Sequence, residues 1–227
     1  MTIFENFLYD IQKVKVLDND IHISKYVAID LSEKQTDHSR KFLEDPNHFQ
    51  SFIDDYLRTN NALVAYGGYN EKRTLYHHNE LFNDEESAER NMHIGFDFWA
   101  KAGTKVVAPL DATVHSFDYN TGEGNYGPTV ILEHQIDGHH FYTLYGHLSI
   151  ESIENIEIGD HIGRNQVFAS IGDMSVNGNY APHLHFQIII DLEGYFGDYP
   201  GVSSEDDLPH YLKNCPDPDL LFKLSTP

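Results

Sequence analysis

Cysteine is almost missing from this sequence. Cys215 stands alone among 227 residues, so no disulfide can close within the chain, and cysteine usage gives no sign of an oxidising compartment. Basic residues are scarce as well, 15 Lys and Arg against 36 Asp and Glu, for a formal charge of −21. A field of that sign repels phosphate backbones and anionic lipid, which argues against nucleic-acid and membrane-surface roles and favours neutral or cationic partners. A solvated acidic surface accounts for the charge equally well. No apolar run approaches the roughly 18 residues of a membrane span. The start, Met1 to Asn6, lacks a basic stretch followed by an apolar one, so the sequence predicts no secretory signal and a soluble, cytoplasmic protein. It also lacks internal repeats and low-complexity tracts.

What is present is a globular composition. Hydrophobic residues make up 40% and aromatic residues 13%, with 14 Tyr and 14 Phe, enough for a substantial core and for faces on which a ligand rests. The length suits one well-packed domain rather than two full ones. The chain divides into an N-terminal extension, 1–61, and a larger unit, 62–227. In the extension, Val27 to Leu31 reads as a short strand. Asp45-Pro46 then reads as a helix N-cap with proline at the first helical position, and Phe49, Phe52, Ile53, Tyr56 and Leu57 follow on one face up to Asn60-Asn61. From Ala62 onward short β-type segments alternate with Gly/Asn/Asp turns, at 62–67, 92–98, 105–109, 111–118, 128–134, 140–148, 166–171 and 183–190. The fold class expected is mainly β, an antiparallel sheet or sandwich with a small α/β extension. The acidic run Asn83 to Glu89 reads as a solvated loop.

Successive residues of a strand point to opposite sides. Taken as one strand, 92–98 sets Met92, Ile94, Phe96 and Phe98 on one face and His93, Gly95 and Asp97 on the other. Segment 183–190 sets Leu184, Phe186, Ile188 and Ile190 against His183, His185 and Gln187, and His147 shares a face with Thr143 and Tyr145. Two distant strands thus bury an apolar face and offer imidazoles and a carboxylate on the other. A catalytic zinc takes three such protein ligands and leaves a fourth position for solvent. On this reading His93 and Asp97, at i and i+4, lie on one side of a strand without backbone distortion. The spacing of His183 and His185 suits one ligand and one neighbour. Neither H-x-H nor H-x-x-x-D is selective alone, and an average histidine is a surface or satisfied core residue. The coincidence with apolar alternation singles out His93, Asp97, His183 and His185, and less so His147. His77, His78, His139 and His140, paired near turns, read as solvated.

The same residues fall into a recognisable series. His93-Ile94-Gly95-Phe96-Asp97, with Ala102 to Pro109 after it, resembles the first metal motif and hairpin of the lysostaphin-type (LytM-like) peptidases. Tyr142 to Ser149 resembles their second motif. Ile158-Gly159-Asp160 through Ile171-Gly172 is similar to their glycine–aspartate stretch, and Pro182-His183-Leu184-His185-Phe186 to their closing H-x-H. The motifs run in family order over roughly residues 62–190. The tail around Pro216-Asp217-Pro218 is similar too, and Gly67 to Arg73 with the Asp191–Leu221 tail resembles a cytosolic subgroup found beside aminotransferase domains. The resemblance implies one Zn²⁺ held by His93, Asp97 and His185. It implies His147 and His183 as acid–base or oxyanion-stabilising residues, their individual roles left open. It also implies hydrolysis of peptide bonds in peptidoglycan-like, glycine- or D-alanine-containing peptides. Tyr126, Tyr145 and Tyr180 are candidate groove walls, with ordinary packing as the competing reading.

Other chemistries fit less well. A peptide- or glycan-binding module on the same β scaffold is the main rival, distinguished by whether the metal keeps an open position. A cupin-type site calls for a glutamate three or four residues after H-x-H, where Ile188 and Ile189 stand. Neither H-E-x-x-H nor G-x-S-x-G occurs.

Overall fold

The structure, a computed structural model, describes residues 1–32, 45–73 and 89–225. Thirteen strands are found among them: β1 (Tyr26–Ala28), β2 (Val64–Gly67), β3 (Glu71–Lys72), β4 (Arg90–His93), β5 (Phe96–Trp99), β6 (Lys105–Val107), β7 (Ala112–Asn120), β8 (Gly127–Ile136), β9 (His139–Gly146), β10 (His161–Ile162), β11 (Val167–Ser170), β12 (His183–Ile189) and β13 (Val202–Ser204). The helices are α1 (Ile3–Asp10), α2 (Pro46–Thr59), α3 (Glu151–Glu154), α4 (Leu208–Asn214) and α5 (Asp219–Phe222). An eight-stranded sheet runs in the order β1-β2-β5-β12-β9-β8-β7-β10, antiparallel except for the β1–β2 pair. A two-stranded sheet (β11-β6) and a three-stranded one (β13-β4-β3) accompany it. The fold is mainly β, as the sequence predicts.

Period-two patterning divides the large sheet into two faces. Phe96, Phe98, Leu184, Phe186, Ile188, Val130, Leu132 and Tyr145 point to one side, into a core shared with Val106, Ala169, Leu8 of α1 and Leu221 and Phe222 of α5. Leu184, Phe186 and Ile188 are fully buried, each worth about 1.5–3 kcal/mol in transfer free energy. The opposite face carries two smaller apolar clusters. One gathers Ile29, Leu31, Phe49, Ile53, Ala65, Trp99 and Ala181, and the other Ile131, Leu144, Ile189, Leu192, Tyr199 and Cys215. Between them the register sets Asp97 opposite His185 and Trp99 opposite His183. A polar strip is therefore framed by packed apolar groups on the large sheet.

Helix α2 forms where the sequence signals place it. The Asp45 carboxylate accepts from the backbone N–H groups of Asn47 (2.9 Å) and His48 (3.3 Å), Pro46 opens the helix, and Phe49 and Ile53 bury its apolar stripe. The extension is tied into the rest of the chain, since β1 pairs with β2 and the Tyr56 hydroxyl donates to the Ala28 carbonyl at 2.6 Å. No helix among the described residues is long and apolar enough to cross a membrane. His77, His78 and most of the acidic run 83–89 lie outside the described residues.

Segment 92–98 is a correction. It is not one strand: the chain leaves β4 at His93, breaks at Ile94-Gly95 and enters β5, which belongs to a different sheet. The physical reason is length. In a continuous strand, residues i and i+4 sit about 13 Å apart, too far to share one ion, so these two side chains meet only because the backbone turns. Elements with little periodic signal, α1, β3, β10 and β13, are absent from the sequence reading. The structure shortens 105–109 to β6.

His134 lies inside the core, with Nδ1 donating to the Asp111 carbonyl (3.0 Å), Nε2 2.8 Å from the Thr143 hydroxyl, and its ring stacked on Phe141. Burial pushes its imidazole down to about 4. The unfolded chain takes up this proton near 6.5 while the folded one refuses it until about 4. The associated stability is therefore complete above 6.5 and falls with pH across that window, by about 3 kcal/mol in all. Urea unfolding at several pH values combined with an NMR titration of the His134 ring checks this; titration near 6.5 in the folded protein refutes it.

Candidate metal centre

The site begins with three strands meeting on one face. β5 lies between β2 and β12, with Gly67 and His185 flanking Asp97 in register, while β4 brings in His93 from the side. The three side chains converge. His93 Nε2 is 3.1 Å from His185 Nδ1, His185 Nδ1 is 3.1 Å from Asp97 Oδ1, and His93 Nε2 is 3.3 Å from Asp97 Oδ2. All three residues are buried. Among the described residues they are the set of His, Cys, Asp and Glu groups whose donor atoms gather closely enough to hold one metal ion.

The outer hydrogen bonds fix what the converging atoms are. The Gly68 carbonyl, 2.8 Å from His93 Nδ1, claims that nitrogen's proton, and the Gln187 Oε1, 2.8 Å from His185 Nε2, claims that one. The inward nitrogens, His93 Nε2 and His185 Nδ1, therefore both carry lone pairs. They face each other and a carboxylate, three acceptors with no proton among them. Such a set is satisfied by a cation, and two imidazoles plus a carboxylate suit zinc. The residues present thus fit the metal. Burial, then Arg73, push the His93 imidazole down to about 4 against the pull of Asp97. For Asp97, burial alone would raise the carboxyl, yet it is held well below the usual range; with the His93 ring neutral, the Arg73 guanidinium at 2.6 Å is the cation that does so.

Gly95 makes room for this geometry. A Cβ there would overlap the His185 ring. Gly95→Ala is expected to displace His185, lose most bound zinc and destabilise the fold by about 1–3 kcal/mol. Zinc content and thermal unfolding of the variant test this, and a wild-type metal content contradicts it.

Two further histidines stand beside the triad. His147 follows β9 with φ +61°, and its Nδ1 donates to the Asn177 carbonyl at 2.8 Å; His183 Nδ1 donates to the Ala181 carbonyl at 2.8 Å. Both rings consequently keep an Nε2 lone pair. Their centroids are 4.3 Å apart, and His183 stacks on Trp99. Burial is the main reason both imidazoles are lowered, that of His183 to about 4 and that of His147 well below its ordinary value. A cavity of about 280 Å³ spans all five residues, with Phe49, Trp99, Tyr126, Tyr180 and the segment around Tyr199 on its walls.

Of the candidate wall residues, Tyr126 and Tyr180 line this cavity, while Tyr145 does not. Its ring is fully buried on the core face against Phe186 and Phe168. Nor does His147 share a face with Thr143 and Tyr145, because β9 ends at Gly146 and the left-handed backbone of His147 turns its ring toward the cavity. Tyr126 packs over Gly146, and its hydroxyl lies 3.1 Å from Gln187 Oε1 and 3.3 Å from His185 Nε2. His140 fits its solvated reading, paired with Glu133 on the surface, whereas His139 stacks on Phe7 of α1. Sequence reasoning assigned no role to Gln187, Gly68 or Arg73. For Gln187 the signal was there, since it continues the His183/His185 alternation.

The chain is similar to known proteins over this region. A family model described as "Peptidase family M23" matches residues 91–195. A Haemophilus influenzae protein described as an uncharacterized metalloprotease is 33% identical over 99 residues, which are 44% of this chain and 19% of that protein. The chain thus spans about a fifth of that relative's length. Among solved structures, the catalytic domain of lysostaphin from Staphylococcus simulans is 25% identical with a TM-score of 0.37, over 53% of this chain and 80% of that one. A zinc-containing peptidase from Vibrio cholerae is 27% identical with a TM-score of 0.35, over 43% of this chain and 27% of that one. The matched segment includes the triad and both neighbouring histidines, so the likeness to peptidase family M23 falls on residues 91–195, the part of the chain that holds the site.

Proposed function

We propose that the chain is a zinc-dependent endopeptidase acting on glycine- or D-alanine-containing peptides of the peptidoglycan kind. The observation that supports it best is the set of three unprotonated donors of His93, Asp97 and His185, at 3.1 to 3.3 Å, beside two more imidazoles with open Nε2 positions. When bound, zinc supplies Lewis acidity that polarises a scissile carbonyl and brings the pKa of water toward neutrality. His147 or His183 takes the proton of the attacking water on Nε2. The protonated ring then donates to the leaving amine; its neighbour, whose Nδ1 proton is held by a backbone carbonyl, can donate to the developing oxyanion through Nε2 only in its protonated form. The Asn177 and Ala181 carbonyls keep both rings in the tautomer that can accept. Tyr126 and Tyr180 flank the cavity where a peptide backbone would lie.

The rival reading, a binding module that holds a peptide without cutting it, calls for a closed coordination shell. Among the described residues the cluster offers three donors, which leaves a position for solvent. Elemental analysis of the purified protein, paired with digestion of glycine-rich and D-alanine-containing peptides with and without a chelator, tests the proposal. One zinc per chain and chelator-sensitive cleavage are expected. Zinc without cleavage of any peptide favours the binding module, and absence of zinc refutes both the metal site and the hydrolysis.

A further inference from the structure

Arg73 lies outside the matched family segment, yet it sits against the metal triad. Its side chain is 3% exposed, the more unusual in a chain with so few cations. Nη1 donates to Asp97 Oδ2 at 2.6 Å and Nε donates to Glu71 Oε1 at 2.6 Å. Glu71 in turn accepts from the Leu31 backbone N–H through its second oxygen, at 3.2 Å, which anchors the assembly to the N-terminal extension. The guanidinium also lies 5.5 Å over the Trp99 ring, the ring that stacks on His183. A few residues earlier, the Gly68 carbonyl holds His93 Nδ1, and a Cβ at Gly68 would overlap the Arg73 guanidinium. One short stretch, Gly68 to Arg73, therefore grips two of the three metal-binding side chains from outside.

We infer that Arg73 is a positioning residue that locks the Asp97 carboxylate for metal binding and so sets the zinc affinity of the site. The inference rests on the metal reading given above. The planar guanidinium fork satisfies two carboxylates from fixed directions, which a lysine ammonium cannot reproduce. Without the fork, the Asp97 and Glu71 carboxylates face each other across a buried space. Asp97 then turns away from the position in which Oδ1 meets His185 Nδ1. The positive charge of Arg73 also repels a bound cation, so its removal has an opposing, favourable component. Loss of orientation is expected to win, because outer hydrogen-bond partners of metal ligands typically contribute about 10- to 100-fold in affinity.

The test uses the full chain and two variants, Arg73→Met and Arg73→Lys. Zinc affinity is read by competition with a chromophoric chelator, and the coordination environment by the visible spectrum of the Co²⁺-substituted protein. Arg73→Met is expected to bind zinc about 10- to 100-fold more weakly and to change the Co²⁺ bands. Arg73→Lys keeps the charge without the fork and is expected to change the bands as well, which decides the matter should Arg73→Met fail to fold. Zinc affinity within about twofold of wild type with unchanged Co²⁺ bands overturns the inference, even if the variants melt earlier; so does tighter zinc binding. Neither readout needs a substrate. Failure here leaves the peptidase reading standing, whereas absence of zinc from the wild-type protein removes both.

Discussion

Asp97→Asn is expected to bring bound zinc to background and peptide hydrolysis below detection while the protein still folds. The amide keeps the shape of the carboxylate but replaces one acceptor with an N–H₂ donor. Turned toward His185 Nδ1, that group would donate to a lone pair which in the wild type sits 3.1 Å from Asp97 Oδ1. The substituted site would satisfy internally the acceptors that otherwise call for a cation. Asp97→Ala is a poorer experiment. It removes one of the two carboxylates on the buried Arg73 guanidinium, and breaking a buried pair on one side typically costs about 3–5 kcal/mol, so unfolding would be confused with metal loss. His93→Ala should match Asp97→Asn in metal loss. Elemental analysis after dialysis, with thermal unfolding as the control, reads the outcome. A full equivalent of zinc in Asp97→Asn would remove Asp97 from the ligand set.

The second large effect separates metal from proton transfer. His183→Ala and His147→Ala should each retain zinc and lose hydrolysis by about 10²- to 10⁴-fold, the range for a positioned acid–base group. Their Nδ1 atoms are engaged by backbone carbonyls, so neither ring is turned toward the ligand cluster through that nitrogen. The pH dependence follows in sign. A proton acceptor works while neutral, and the His183 ring stays neutral down to about 4, so the acid limb of kcat/KM should fall well below the ordinary imidazole value of 6.5. Zinc loss in either variant, or retained full turnover, would refute the assignment.

How much was legible in the sequence depends on the range of the signal. Alternation in 183–190 is local, and it correctly turned Leu184, Phe186 and Ile188 to the core and His183 and His185 to the opposite face. The α2 boundaries were legible because capping is a property of a few adjacent residues. The same rule failed for 92–98, where period-two reading has no way to see a chain passing from one sheet to another, and for Tyr145, where it could not tell the core side of β9 from the cavity side. His147 was named as a candidate, but its face was misread, because one left-handed residue past a strand end reverses the parity. Arg73 was invisible as a site residue. Its contact with Asp97 bridges 24 positions and depends on how β3 and β5 are placed, which no local pattern encodes.

The break at Ile94-Gly95 has a mechanical corollary. His93 is delivered by the three-stranded sheet, Asp97 and His185 by the eight-stranded one. An ion shared by these residues would tie the two sheets together, and occupancy of the site and cohesion of the sheets would become one equilibrium. Chelation would loosen β4 and β13 against the large sheet before it loosens the sheet itself, and anything that draws His93 away from Asp97 and His185 would release the ion.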